Sequence, residues 1–109
     1  MSEKIQIEES SGNVFKDLGF SDEEAAEEQL KAELGVEILR ILEERELTQA
    51  DAARILAVKS AEIARLEHAK FSYYSVDQLM RFLNRLNRDI EIRIIPSGNR
   101  EGHRQVVAV

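Results

Sequence analysis

The sequence predicts a mainly α-helical fold with one β-strand near its C-terminus. Apolar residues recur at helical spacing over residues 22–46 and again over 76–86, which predicts two amphipathic helices. After residue 88 the apolar period shortens to two, which is typical of a strand. A chain of 109 residues can bury one modest core, so we expect a single domain.

The composition excludes several classes of protein. Apolar residues make up 43% and charged residues 33% of the chain, as in ordinary folded proteins, so global disorder is not expected. The absence of cysteine excludes disulfides and thiolate metal sites and is compatible with a reducing cytoplasm. The sequence has no apolar run long enough for a membrane span and no secretory signal at its start, so we expect no membrane partner.

The charge of the chain is unevenly distributed. Its net value is −6, but residues 1–34 carry ten acidic and three basic side chains, whereas residues 54–104 carry ten basic and six acidic ones. An acidic chain is a poor non-specific ligand for nucleic acid, although a local basic face is still possible. The acidic N-terminal region suits a basic protein partner or is simply a solvated helix face.

The first long helix is expected to begin after Ser21 and to end near Arg45 or Glu46. Ser21 and Glu24 have the spacing of a capping box, in which each side chain binds the other residue's backbone N–H. Gly35 lies inside the helix, where glycine lowers helix stability by about 1 kcal/mol relative to alanine. A kink or a break of the helix at Gly35 is therefore left open. The predicted buried stripe consists of Ala26, Leu30, Leu34, Ile38, Ile41 and Leu42.

Two short helices follow, joined by a tight connection at residues 57–59. Thr48 is the predicted N-cap of the first helix and Ser60 that of the second, whose Ile63 and Leu66 should point inward.

An aromatic loop over residues 71–74 precedes a helix capped by Ser75. The loop aromatics either pack on the core or stack on a nucleic-acid base, and packing is the favoured reading. The apolar stripe of the helix is Val76, Leu79, Met80, Leu83 and Leu86.

Residues 89–95 alternate charged and β-branched side chains and are predicted to form a strand that ends at Pro96. A lone strand must find hydrogen-bond partners for its backbone. The simplest partner is the same strand of a second copy across a two-fold axis, with Ile90, Ile92 and Ile94 at the dimer interface. Pairing with residues 5–7, with residues 106–109 or with another protein stays open, and so does a dimer built by the helix over residues 76–86 instead of the strand.

The segment from Gln49 to Leu66 has the spacing that two steeply crossing helices require. Ala53 is small where the helices would touch, Ala57 stands at the turn, and apolar residues follow at Val58, Ile63 and Leu66. This segment, with residues 47–53 leading into it, resembles the DNA-binding helix-turn-helix of XRE-type (lambda-repressor-like) regulators.

The resemblance extends over about residues 10–96. The segments 11–20, 30–34, 75–86 and 89–92 are similar to a subgroup of XRE-type proteins that includes HigA-like antitoxins of toxin–antitoxin operons. The resemblance implies a lambda-repressor-like helical bundle whose second short helix enters the DNA major groove. The chain then divides into an N-terminal arm (1–20), a helix-turn-helix domain (21–88), a C-terminal strand (89–96) and a flexible tail (97–109).

The resemblance also implies which residues contact double-stranded DNA. Gln49 and Lys70 would lie at backbone phosphates, and the remaining contacts would face the groove from the second helix: Lys59, Ser60, Ala61, Ala64, Arg65 and His68. Of these, Arg65 is the side chain that can bind guanine O6 and N7 together, and the lysines would neutralise phosphates.

The sequence departs from the family pattern at several positions. Ala57 and Ala69 stand where the family usually has glycine, and Ser60 and Ala64 stand where the reading face often has Gln and Ser. Glu62 places a negative charge near the groove. A helix-turn-helix retained for protein contacts is therefore the alternative to sequence-specific DNA binding.

No other pattern in the sequence indicates chemistry. His68 and His103 are far apart and do not resemble a zinc site, and no glycine-rich phosphate loop or nucleophile constellation is present. We therefore expect no enzyme activity, no metal and no cofactor.

Two functions follow as hypotheses. The first is a homodimeric transcriptional regulator that uses residues 60–68 as its recognition helix. The second is an antitoxin that neutralises a small basic RNA-cleaving toxin and represses its own promoter, so a cognate toxin is a further candidate partner.

Overall fold

The computed structural model describes residues 14–109, and within that range it contains α-helices and no β-strand. The mainly helical fold is therefore confirmed. Residues 1–13, which include most of the predicted arm and the alternation at residues 5–7, lie outside the described residues. The helices are α1 (Val14–Asp17), α2 (Asp22–Glu44), α3 (Gln49–Leu56), α4 (Ser60–Glu67) and α5 (Val76–Arg85), with a 3-10 turn at Phe71–Tyr73.

Helix α2 is the centre of the bundle and contacts α1, α4, the 3-10 turn and α5. Its capping box is confirmed, since Ser21 Oγ accepts from the Glu24 N–H at 3.1 Å and Glu24 Oε1 accepts from the Ser21 N–H at 3.0 Å. The buried stripe is confirmed from Leu30 to Leu42, but the prediction for Ala26 is wrong. Ala25 is buried instead and Ala26 is exposed, because α1 packs against α2 and covers a side outside the stripe.

No break occurs at Gly35, where α2 continues as a regular helix. A Cβ atom at this position would overlap the ring of Phe71, which is buried in the 3-10 turn. Glycine is therefore required for close packing here, because it lets the Phe71 ring contact the backbone of α2 directly.

The last four helices all end in the same way. In each case a non-glycine residue with a left-handed backbone follows the helix, and the next N–H donates to the carbonyl five residues earlier, as in a Schellman motif. The left-handed residues are Glu46, Ala57, Ala69 and Asn87, with φ between 53° and 66°, and the donors are Leu47, Val58, Lys70 and Arg88.

Of the three N-caps predicted after α2, two are confirmed. Thr48 Oγ1 accepts from the Asp51 N–H and Ser75 Oγ from the Gln78 N–H, both at 3.0 Å. The prediction that Ser60 caps α4 is wrong. Lys59 is the last residue with extended dihedral angles and makes no side-chain capping bond, so Ser60 is already helical.

The core lies between α2 and the three following helices. Its largest side chains with essentially no exposure are Ile38, Ile41, Leu56, Ile63, Leu66, Leu79 and Leu86. Phe82, which the predicted stripe of α5 omits, is also buried.

Residues 89–95 have no regular secondary structure in the single chain, so the strand is not formed within one copy and its pairing across a dimer stays a prediction. The flexibility of residues 97–109 likewise stays a prediction. Within that segment Val106 is half-buried against the core and donates its N–H to Glu33 Oε1 of α2 at 2.8 Å.

Replacing Ala57 by glycine should stabilise the protein by about 1 kcal/mol, because a left-handed backbone is strained for alanine and free for glycine. Urea unfolding followed by circular dichroism measures the change. Ala50, exposed in α3, provides the control: Ala50→Gly should lower the free energy of unfolding by about 0.5–1 kcal/mol. Equal losses for both variants would contradict the left-handed geometry at residue 57.

Replacing Gly35 by alanine should destabilise the protein by about 1–3 kcal/mol through overpacking against Phe71, although alanine is the better helix former. In a Phe71→Ala background the same substitution should instead stabilise by up to about 1 kcal/mol. Denaturant unfolding of the four proteins of this cycle tests the sign change, and the same sign in both backgrounds would exclude the proposed contact.

Candidate nucleic-acid interface

Helices α3 and α4 form a corner that is set by Ala57. Its φ of 60° and ψ of 46° reverse the chain, and the Val58 N–H donates to the Ala53 carbonyl at 3.0 Å. Ala53 is buried, and its small side chain lets the two helices approach. The predicted helix-turn-helix geometry is thus present between Gln49 and Glu67.

Helix α4 has one buried and one outward face. Ile63 and Leu66 are completely buried and hold the helix on the core. Ala61 and the C-cap His68 are exposed on the opposite side, and Ala64 is half-buried beside them. The short side chains leave the backbone of α4 close to the molecular surface.

The residues predicted to contact DNA all keep some surface exposure in the single chain. Six are exposed and two, Ala64 and Arg65, are half-buried; the exposed ones are Gln49, Lys59, Ser60, Ala61, His68 and Lys70. Their contact with DNA stays a prediction, but none is enclosed by the core of its own chain.

Gln49 links the start of α3 to the end of α4. Its side-chain nitrogen donates to Glu67 Oε1 at 2.8 Å. An amide nitrogen carries two hydrogens, so one donor can serve this bond while the other is directed elsewhere. The contact therefore connects Gln49 to α4 and leaves its second N–H free to donate to another acceptor.

Arg65 is supported from below by an aromatic ring. The central carbon of its guanidinium group lies 3.8 Å from the centroid of the Tyr73 ring, a cation–π contact. Tyr73 is 63% exposed and belongs to the 3-10 turn that follows α4. None of the ion pairs found within residues 14–109 involves Arg65, although its side chain lies beside the same Tyr74 hydroxyl as that of Glu62.

Glu62 has a partner inside the protein. Its Oε1 accepts from the hydroxyl of Tyr74 at 3.2 Å, and Tyr74 itself is buried. Burial raises the pKa of the Tyr74 hydroxyl; the nearby Arg65 opposes this rise and the Glu62 carboxylate adds to it. The hydroxyl is therefore protonated at neutral pH and can donate to Glu62.

The local charges differ from the net charge of the chain. Lys59 and Lys70 flank α4 at its two ends, whereas Glu62 and Glu67 are occupied by Tyr74 and Gln49. On α3, Arg54 pairs with Asp51 at 3.0 Å, and its hydrogen bond lowers the pKa of the Asp51 carboxyl. Three cations, the two lysines and Arg65, are thus presented by α4 and its flanks.

The aromatic turn separates into buried and exposed side chains. Phe71 and Tyr74 are buried, as the packing reading predicted, and Tyr74 contacts Phe82 edge-to-face at 5.3 Å between ring centroids. Sequence reasoning missed the contact of Tyr73 with Arg65. No local signal encodes it, because the two residues are eight positions apart on different elements.

The predicted dimer residues are exposed in the single chain. Ile92 and Ile94 are 76% and 94% exposed, and Ile90 is 37% exposed. Such isoleucines lie outside the core formed by the helices, and their role at a dimer interface stays a prediction.

Within residues 14–109, no cluster of three or more possible metal ligands occurs, and no helix has the length and hydropathy of a membrane span.

Comparison with known proteins agrees with the corner geometry. A family model described as a helix-turn-helix domain matches residues 14–95. A solved structure assigned to the XRE family of transcriptional regulators is 29% identical, with a TM-score of 0.70, over 79% of this chain and 97% of that one. No curated protein matches the chain. Because the family model spans most of the sequence, including both helices of the corner, the chain belongs to the helix-turn-helix domain family.

Proposed function

We propose that the chain is a sequence-specific, DNA-binding transcriptional regulator that places residues 60–68 in a major groove. The observation that carries this proposal is the outward face of α4, where two alanines and one arginine lie between Lys59 and Lys70. A face of small side chains can approach base edges closely, and the family membership supports the same reading. The similar solved structure is itself assigned to a family of transcriptional regulators.

The roles of the individual residues follow from their chemistry. Arg65 forks onto guanine O6 and N7, while Ala61 and Ala64 offer apolar contact to a thymine methyl group. Ser60 and His68 extend the same face as polar groups. The lysines and Gln49 bind phosphates and set the register of α4 on the duplex.

The proposed active form is a homodimer. The exposed isoleucines of residues 89–95 supply an apolar, alternating edge, and pairing with a second copy would satisfy its backbone groups. Two recognition helices related by a two-fold axis then read half-sites about 34 Å apart.

Arg65→Ala should weaken binding to the duplex upstream of the protein's own gene by about 1–3 kcal/mol and relax selectivity at one base pair. Fluorescence anisotropy with a scrambled competitor at two salt concentrations measures both effects. The two lysines that neutralise phosphates predict a log–log salt slope of about −2 per half-site.

Arg81→Ala is the control, because it removes an exposed arginine that lies on α5, outside the helix-turn-helix, and pairs with Asp77 at 2.9 Å. Its affinity for the duplex should equal that of the wild type. Unchanged affinity in the Arg65 variant would reject the base-reading role, and equal affinity of the wild type for scrambled DNA would reject sequence-specific binding.

A double substitution, Ile92→Lys with Ile94→Lys, should convert the dimer to a monomer, because buried like charges would face each other across the pair. Sedimentation velocity measures the oligomeric state. Val107→Lys is the control, since Val107 is also 70% exposed but lies in the tail. A wild-type protein that sediments as a monomer, or a dimer unaffected by the double substitution, would exclude the strand interface.

We propose a second role, neutralisation of a small basic RNA-cleaving toxin, because the first turns of α2 are strongly acidic. This surface carries Asp22, Glu23, Glu24, Glu27 and Glu28. Asp22 pairs with Lys16, and Lys31 lies within 4 Å of Glu27 and Glu28, so Glu23 at the outer edge is the best position for a charge reversal.

Co-purification with the product of an adjacent gene for a small basic protein tests this second role. Glu23→Lys should weaken the complex and leave DNA binding unchanged, whereas deletion of residues 1–13 measures the contribution of the arm without removing α1. The absence of such a gene product, or its failure to bind the wild type, would reject the antitoxin role.

A further inference from the structure

The turn after α4 connects the core to the proposed reading face through a series of aromatic contacts. Tyr74 is 3% exposed and contacts the buried Phe82, and Tyr73 meets Tyr74 edge-to-face at 5.2 Å between ring centroids. The exposed Tyr73 ring then lies beneath the guanidinium group of Arg65. Arg65 is thereby connected, through the rings of Tyr73 and Tyr74, to Phe82 in the core.

The same turn also occupies Glu62, which is three positions before Arg65 on α4. An acid at this spacing normally forms an ion pair with a following arginine on the same helix. Here Glu62 accepts from the Tyr74 hydroxyl, and it forms no ion pair with Arg65 within the described residues. Tyr73 therefore stacks on Arg65, while the neighbouring Tyr74 binds Glu62.

We propose that Tyr73 is a positioning residue for base recognition: its ring holds the Arg65 guanidinium ready to bind guanine, while the Tyr74 hydroxyl, which lies beside both side chains, holds Glu62 by a hydrogen bond in place of a direct ion pair with Arg65. This inference rests on the proposed function. An arginine that is stacked on an aromatic ring can still present its N–H edge, and less of its conformational freedom is lost when it binds.

The first experiment uses the free protein. With ¹⁵N-labelled arginine, the Arg65 Nε–Hε resonance of the wild type should be shifted upfield by the Tyr73 ring current. The shift should persist in Tyr73→Phe, which keeps the ring, and disappear in Tyr73→Leu. Because Tyr73 is 63% exposed, neither substitution removes core packing. A wild-type resonance without the shift would overturn the proposal.

The second experiment measures anisotropy on the duplex upstream of the gene and on the same duplex with its guanines replaced one at a time. Tyr73→Leu should weaken binding to the unaltered duplex about three- to tenfold, whereas Tyr73→Phe should bind like the wild type. In an Arg65→Ala background, Tyr73→Leu should have no further effect. An equal loss in that background would overturn the proposal, because Tyr73 would then act without Arg65.

The acid is tested by Tyr74→Phe alone and together with Glu62→Gln. Tyr74→Phe releases Glu62 to pair with Arg65 and should weaken binding to the duplex. Adding Glu62→Gln should increase the affinity for the duplex more in the Tyr74→Phe background than in the wild type. Equal gains in both backgrounds would overturn the role of Tyr74. If the wild type bound no DNA while the ring-current shift was present, the proposed function would fail and this inference would fail with it, although the stacked geometry would stand.

Discussion

The left-handed backbone at Ala57 is the constraint on which the rest of the interface depends. It turns the chain within a single residue, so that only three residues separate the end of α3 from the start of α4. Only with that reversal can Ile63 and Leu66 reach the core while Ala61 and His68 point away from it. The strain of an alanine in this conformation is offset by the burial that the reversal permits.

Much of this arrangement could be predicted from the sequence because it is periodic. The spacing of apolar residues gave the helices, the two faces of α4 and the caps at Thr48 and Ser75, since these features depend on neighbours along the chain. The prediction of an N-cap at Ser60 was wrong because the sequence pattern is the same whether the serine precedes the helix or is its first residue. The spacing of residues 47–66 also led to the right family.

Contacts between elements could not be predicted in this way. From the sequence, Gly35 is a candidate for a kink or a break of the helix. In the structure its role is to leave room for the ring of Phe71, 36 positions later, which occupies the space that a Cβ atom would fill. The contact of Tyr73 with Arg65 and that of Tyr74 with Glu62 depend equally on how the turn after α4 packs. Glu62, which by sequence appeared to oppose DNA, has a hydroxyl partner that only the fold reveals.

The outward face of α4 has few polar side chains, so the position of its single arginine is important. Ala61 and Ala64 cannot donate hydrogen bonds to base edges, and the net charge of −6 gives little long-range attraction to a polyanion. In the proposed function, selectivity comes from few contacts, and few contacts discriminate well only if their geometry is fixed before binding. A guanidinium held over a ring that is itself braced against the core meets this requirement, whereas a freely rotating arginine on the same alanine-rich face would not.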